Sequence, residues 1–230
     1  MFGELNYMPV EKLFSESELQ ELLDMNAAPP HGQRNAALII GAVYWGLTPS
    51  ELSLLRLEDV MDQGGQFYRI WTLPAATAYN GEARELHTEK HILPFLEAYM
   101  EQRIENQLYH SNKAWYRHSD PKSHFFLNDR GKPFAMSPRK KGSSDYQPAS
   151  MNNKLRQLIA NTRIKGAKPS TFRDTFIKNM YEAGCGYAEL MKVSGIKGKD
   201  TLDRKITPHQ RELEEVFKTL FSRVKVPASK

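Results

Sequence analysis

The segment KPSTFRDTF, residues 168–176, holds the side chain best suited to chemistry on an anion. Pro169 discourages helix before it, and the hydroxyls of Ser170 and Thr171 can cap the free N–H groups of a helix that begins here. Arg173 then lies one turn inside that helix, where the N-terminal N–H groups and the helix dipole attract anions. The segment predicts a phosphate contact at Arg173, although a solvated surface arginine has the same local pattern.

The helix that carries Arg173 is predicted to bury one face. Its apolar residues recur at spacings of three and four: Phe172, Phe176, Ile177 and Met180. The opposite face is predicted to be polar, with Arg173, Asp174 and Lys178 on it. Two glycines end this helix, and residues 187–193 predict a second short helix closed by Gly195.

Basic residues are concentrated before this helix. The chain has 32 Lys and Arg against 27 Asp and Glu, but residues 130–168 hold ten basic residues and a single acid, Asp145. The stretch PRKKGSS, residues 138–144, predicts a mobile loop that a ligand orders. The helix that follows, residues 151–163, is predicted to direct its cations outward: Lys154, Arg156 and Arg163. This is the footprint of a polyanion site, unless the charge only keeps a loop soluble.

The remaining elements must position these groups, and they predict a mostly helical α+β domain with a small antiparallel sheet. Helices are predicted where apolar residues recur with a helical period: residues 15–23, 34–47, 50–57, 94–110 and 208–221. Residues 66–73 and 85–93 flank an Asn80 and Gly81 turn and predict a β-hairpin, and residues 125–127 predict a short strand edge.

We expect three regions along the chain. Residues 1–30 form an acidic helical segment, residues 31–207 a core domain, and residues 208–230 a C-terminal helix. That last helix has one apolar stripe, which fits packing on its own chain and exchange between subunits equally well. We see no separate N-terminal domain for clamping DNA, so either the protein lacks one or that domain lies in a longer parent chain.

Composition limits the class of protein. A single cysteine, Cys185, excludes an internal disulfide and a cysteine-built metal site. His87 and His91 fall on one predicted strand face without a third ligand, so we expect no metal and no cofactor. No apolar run is long enough to span a bilayer and no signal segment opens the chain, so we expect a cytoplasmic protein without membrane contact.

The order of these pieces resembles the catalytic domain of the tyrosine recombinases, the phage integrase family. The resemblance begins at about Ser15 and is strongest in GLTPSEL, residues 46–52, and in FRDTF around Arg173. It implies a domain that holds duplex DNA. In that family a tyrosine attacks a phosphodiester, assisted by two arginines, a lysine and two histidine-type residues.

Most of those family groups have no counterpart here. Arg173 matches the second arginine. Other side chains occupy the remaining places: Thr48 for the first arginine, Ser170 and Asp174 for the residues around the second, Ile196 for the histidine after Gly195, and Lys205 for the tyrosine. No tyrosine follows Tyr187, and a lysine cannot serve as a nucleophile that later leaves as a phenolate. Each lost donor of this kind costs on the order of 3 kcal/mol in the transition state.

The predicted hairpin also lacks a family group. Its tip reads TAYNGEAR, without the lysine that the family places before the turn. Arg84 or Lys90 is left to reach a phosphate there, and the alternative for both is an exposed strand charge.

The resemblance and the substitutions together predict a DNA-binding protein without catalytic residues. We expect an accessory or regulatory factor in the integration or excision of a mobile element. The predicted DNA contacts are basic residues: Arg139, Lys140, Lys141, Lys154, Arg156, Lys168, Arg173 and Lys205. A second copy or an active recombinase is an expected partner through residues 208–221. Two alternatives stay open: a divergent recombinase with a relocated nucleophile such as Tyr187, and a scaffold that binds another protein.

Overall fold

The computed structural model describes residues 12–206 and has the predicted mostly helical α+β architecture with small antiparallel sheets. Its helices are α1 (Glu16–Met25), α2 (Gly32–Tyr44), α3 (Pro49–Leu54), α4 (Leu57–Val60), α5 (Leu93–Glu105), α6 (Ala149–Ala160), α7 (Pro169–Glu182), α8 (Tyr187–Ser194) and α9 (Lys199–Ile206). Its strands are β1 (Ile70–Leu73), β2 (Arg84–His87), β3 (Ser137–Pro138) and β4 (Tyr146–Gln147). The predicted C-terminal helix, residues 208–221, lies outside the described residues.

The first sheet is the predicted hairpin in a shorter form. β1 and β2 pair antiparallel, with Ile70 opposite His87 and Leu73 opposite Arg84. Strand structure ends at His87 because the chain turns into a 3-10 helix, Lys90–Ile92, that leads directly into α5. His91 therefore does not share a strand face with His87, which corrects that prediction.

The second sheet is a short hairpin, residues 137–147. β3 and β4 pair antiparallel on either side of residues 139–145, so most of the predicted loop, residues 138–144, is the connection between the two strands. The predicted strand edge at residues 125–127 is wrong, because this segment makes one isolated bridge, between Leu127 and Pro133, and belongs to neither described sheet.

Helix α2 lies at the centre of the main core and packs against α5 and α7. Its apolar residues are buried nearly all round, as its sequence predicts. Trp45 follows it, and its ring meets that of Trp71 at a centroid distance of 5.2 Å. Both indole N–H groups donate to the hydroxyl of Thr88, at 3.2 and 3.1 Å, so their polar atoms are satisfied inside the core.

A second apolar cluster joins the last three described helices. It is formed by residues of α7, α8, α9 and the α8–α9 connection: Phe176, Ile177, Leu190, Ile196, Leu202 and Ile206. Helix α9 was not predicted from the sequence. In the described part of the chain, no helix is long and apolar enough to cross a membrane.

Candidate nucleic-acid interface

Helix α7 begins before the two residues that were predicted to cap it, so Ser170 and Thr171 both lie inside the helix. Pro169 is its first residue, and the hydroxyl of Thr171 accepts from the backbone N–H of Lys168 at 3.0 Å. Ser170 is exposed and is not the cap. The proline has no N–H to satisfy, which suits the first helical position, and Arg173 follows in the second turn.

Arg173 contacts two other segments of the chain. Its Nη2 donates to the backbone oxygen of Ser194 at the end of α8. The carbon of its guanidinium lies 4.5 Å from the ring centroid of Tyr79, which follows β1. Its Nε is buried and has no hydrogen-bond partner among the described residues. The predicted phosphate contact is thus half-buried and already bound to the protein through one nitrogen.

Three consecutive carbonyls at the end of α8 accept from side chains. Val193 O accepts from Arg84 Nε at 3.0 Å, and Ser194 O accepts from Arg173. Gly195 O accepts from the Tyr79 hydroxyl at 2.7 Å and from the side-chain amide of Asn80 at 2.9 Å. The last carbonyls of a helix lack intrahelical partners and carry partial negative charge, so two arginines are favourable there.

Arg84 is not the exposed strand charge that the sequence predicted. It is 5% exposed, and its guanidinium forms two hydrogen bonds to Glu51, at 2.6 and 2.9 Å. Glu51 also accepts from the backbone N–H of Tyr79 at 3.1 Å. Burial raises the pKa of Glu51, but the hydrogen bonds and charge of Arg84 outweigh it and hold this pKa below its usual value. Arg84 is therefore committed to an internal ion pair.

Thr48, in the place of the family's first arginine, acts as a helix cap. Its hydroxyl accepts from the N–H of Glu51 at 3.3 Å, and the Glu51 carboxylate accepts from the N–H of Thr48 at 2.8 Å. This reciprocal pair is a capping box at the start of α3. The side chain at this position therefore stabilises a helix.

Asp174 and Lys178 are buried, which corrects their predicted exposure. The Asp174 carboxylate forms an ion pair with Lys205 of α9, and Lys178 Nζ donates to the backbone oxygen of Ile206 at 3.3 Å. Lys205, in the place of the family's tyrosine, has a side chain only 19% exposed. These contacts hold α9 against α7.

Ile196, which replaces the family's histidine, also has a structural role. Ile196 is buried in the second apolar cluster, where an imidazole would need a polar partner. Tyr187, the predicted relocated nucleophile, donates its hydroxyl to Asp203 at 2.6 Å. This hydrogen bond, with the nearby charge, raises the pKa of Tyr187 to about 12, which disfavours the phenolate.

The hairpin of residues 137–147, called here the basic hairpin, exposes its cations. Arg139 and Asp145 pair across it, both through the backbone at 2.8 Å and through their side chains at 2.8 Å. Lys140 and Lys141 are exposed at its tip and form no ion pair with another described residue. Among the described residues, no hydrogen bond or ion pair joins this hairpin to Arg173.

Lys154 is not directed outward. It is 8% exposed, and its ammonium contacts Asp129 at 3.0 Å and the side chain of Gln157 at 3.1 Å. Arg34, also buried, donates to the same carboxylate at 2.5 Å. Partial burial raises the pKa of Asp129, but the hydrogen bonds and charges of the two cations lower it to about 2. Lys154 thus belongs to an internal ion-pair cluster.

Two other predicted contacts are exposed. Arg156 lies on the outer face of α6 and donates to Asn153 at 2.9 Å, and Lys168 precedes α7. The sequence did not predict the roles of Tyr79 and Glu51, because each contacts an arginine from a remote segment. Tyr79 contacts Arg173, and Glu51 binds Arg84. Within residues 12–206, no group of three or more His, Cys, Asp or Glu residues is arranged to hold a metal ion.

Comparison with known proteins gives the fold but no close relative. No family model matches the sequence, and no curated protein matches it. The structure of XerA recombinase resembles the chain with a TM-score of 0.65 and 18% identity, over 96% of this chain and 67% of that one. XerH recombinase bound to a palindromic difH substrate resembles it with a TM-score of 0.59 and 16% identity, over 90% of this chain and 52% of that one.

A third similar structure is the Tn1549 transposon integrase in complex with transposon right end DNA. Its TM-score is 0.56 at 14% identity, over 95% of this chain and 68% of that one. The chain therefore spans 52% to 68% of the length of these three structures. Identities this low establish the fold alone, and that fold is the one of the tyrosine recombinase catalytic domain.

Proposed function

We propose that the protein binds duplex DNA without cleaving it and acts as an accessory or regulatory factor in the integration or excision of a mobile element. The proposal is supported by the fold and by two similar structures that were solved with DNA. Exposed cations support it further, because Lys and Arg contacts to phosphates supply most non-specific affinity for DNA.

The proposed contact set is smaller than the one the sequence predicts. It contains the exposed or partly exposed cations: Arg139, Lys140, Lys141, Arg156, Lys168 and Arg173. Lys154 is left out because its ammonium contacts Asp129 inside the protein. Lys205 is left out because it pairs with Asp174 and is mostly covered.

The main support for the absence of cleavage is that the side chains at the substituted positions have structural roles. Thr48 caps α3, Ile196 packs in an apolar cluster, and Lys205 pairs with a buried carboxylate. A cleaving enzyme needs a nucleophile and donors aimed at the developing charge, to within a fraction of an ångström. Side chains with these internal roles supply neither.

Affinity for random-sequence duplex DNA at two salt concentrations tests DNA binding. We expect the affinity to fall steeply as salt rises, because phosphate contacts release counterions. Affinity that is absent, or that does not change with salt, would contradict the proposal.

A divergent recombinase is the second candidate, and one contact favours it. Tyr79 is exposed and its ring lies against Arg173, and its hydroxyl donates to a backbone oxygen, whereas the hydroxyl of Tyr187 donates to the Asp203 carboxylate. Covalent trapping on a nicked duplex separates the candidates. We expect no protein–DNA adduct. An adduct that disappears in Tyr79→Phe or in Tyr187→Phe would instead establish cleavage and identify the nucleophile.

A further inference from the structure

Tyr79 is an exposed aromatic residue that is fixed at both ends. It is 44% exposed and follows β1 at the tip of the first hairpin. Its backbone N–H donates to Glu51 at 3.1 Å, and its hydroxyl donates to Gly195 O at 2.7 Å. A surface tyrosine held by its backbone and its hydroxyl has little freedom, so its ring is a fixed support for whatever lies against it.

The group that lies against this ring is the guanidinium of Arg173, 4.5 Å away. A cation above a tyrosine face is attracted by the ring quadrupole, and a planar guanidinium also stacks well on it. The Ser194 carbonyl holds Nη2 of the same group. Together these contacts set the plane and the direction of the guanidinium.

One nitrogen of this guanidinium is left for a ligand. Nη2 is bound to Ser194 and Nε is buried. Nη1 makes no hydrogen bond to a described residue and is not among the buried unpartnered atoms. The fixed orientation of Arg173 therefore offers Nη1 to an anion from outside.

We infer that Tyr79 is a positioning residue, which fixes the plane of the Arg173 guanidinium so that Nη1 meets a phosphate of the DNA backbone. This inference rests on the proposed function, because it assumes that DNA is the anion. A freely rotating arginine loses side-chain entropy when it binds, and an arginine already held on a ring loses less. The tyrosine acts through its ring, and its hydroxyl serves to fix that ring.

The test is DNA affinity in a set of matched variants. Tyr79→Leu removes the ring and is expected to weaken binding about five- to tenfold, the entropic cost of ordering one long side chain on binding. Tyr79→Phe keeps the ring and should stay within about twofold. Asn80→Ala is the control, because Asn80 Nδ2 also donates to Gly195 O, at 2.9 Å, but has no described contact with Arg173. It should leave the affinity unchanged.

Dependence on Arg173 separates positioning from direct contact. In an Arg173→Gln background, Tyr79→Leu should cause no further loss, since the group that it positions is gone. An equal loss in both backgrounds would overturn the inference, and so would full affinity of Tyr79→Leu. If the wild-type chain shows no salt-dependent binding, the proposed function itself fails and the inference with it.

A side-chain NMR signal gives a readout that does not need DNA. The Nε–H resonance of Arg173, assigned by its loss in Arg173→Lys, should be shifted by the ring current of Tyr79. The shift should persist in Tyr79→Phe and vanish in Tyr79→Leu. An unshifted resonance in the wild-type chain would show that the ring does not hold the guanidinium.

Discussion

Arg84 and Glu51 form a buried ion pair, with two hydrogen bonds, that joins β2 to the start of α3. The same arginine reaches the end of α8 through Val193 O, and the same glutamate holds the backbone of Tyr79. The pair thus connects the first hairpin to two helices around the candidate site. Breaking one partner of such a pair is costly because it leaves the other charge buried.

We expect Arg84→Leu to lower the free energy of unfolding by about 3 to 5 kcal/mol, because Glu51 then remains charged in a buried site. Urea denaturation measures this loss. The double variant Glu51→Leu/Arg84→Leu should recover part of it, since no buried charge is left. Additive losses from the two single substitutions would show that the pair does not couple them.

The low pKa of Asp129 leads us to expect a loss of folding stability at acid pH. Its pKa is about 2 in the folded protein and 3.8 in the unfolded reference, so the ionised form favours folding. Its contribution is present above pH 3.8 and is lost as the pH falls towards 2. We expect the stability difference between the wild type and Asp129→Asn to shrink over this range. A difference that is constant with pH would mean that the ion pairs with Arg34 and Lys154 do not stabilise the fold.

We expect that removing the two lysines at the tip of the basic hairpin changes the salt dependence of DNA binding. Lys140→Gln/Lys141→Gln should weaken binding to all sequences alike and lower the salt slope by about 2, if each lysine meets one phosphate. Lys113→Gln/Lys122→Gln removes the same charge from exposed positions outside residues 130–168 and serves as the control. Equal slopes for both double variants would assign the effect to net charge alone.

The packing of Ile196 in the second apolar cluster predicts that a histidine at this position destabilises the fold. Ile196→His should destabilise the protein by about 2 to 4 kcal/mol, because it buries a polar ring among apolar side chains. Ile196→Leu is the control and should cost less than about 1.5 kcal/mol. If thermal unfolding shows the histidine variant to be as stable as the leucine variant, the site has a polar partner that the described contacts do not reveal.

The sequence predicts the helices well where a regular apolar stripe exists, as in α2 and α7. It misses α9 because KDTLDRKI has only Leu202 and Ile206 to bury in a charged run. It places the strands of the first hairpin too long, since β-branched and aromatic residues continue past the paired segment.

The candidate site is harder to predict because its charged residues are paired over long sequence distances. Arg84 binds a glutamate 33 positions away, and Lys154 binds Asp129, 25 positions away. A charged residue without a near partner is expected to be exposed, so both predictions were wrong for the same physical reason. The contact between the Tyr79 ring and Arg173 likewise depends on the tertiary fold and has no local sequence signal.

The pair of Asp174 and Lys205 couples two positions at which this chain differs from the tyrosine recombinase pattern. Replacing Lys205 with tyrosine removes a cation that pairs with the buried Asp174 carboxylate, and replacing Asp174 with histidine removes the anion that pairs with the Lys205 ammonium. Either single replacement is expected to lower the stability of the fold, so positions 174 and 205 are constrained to change together.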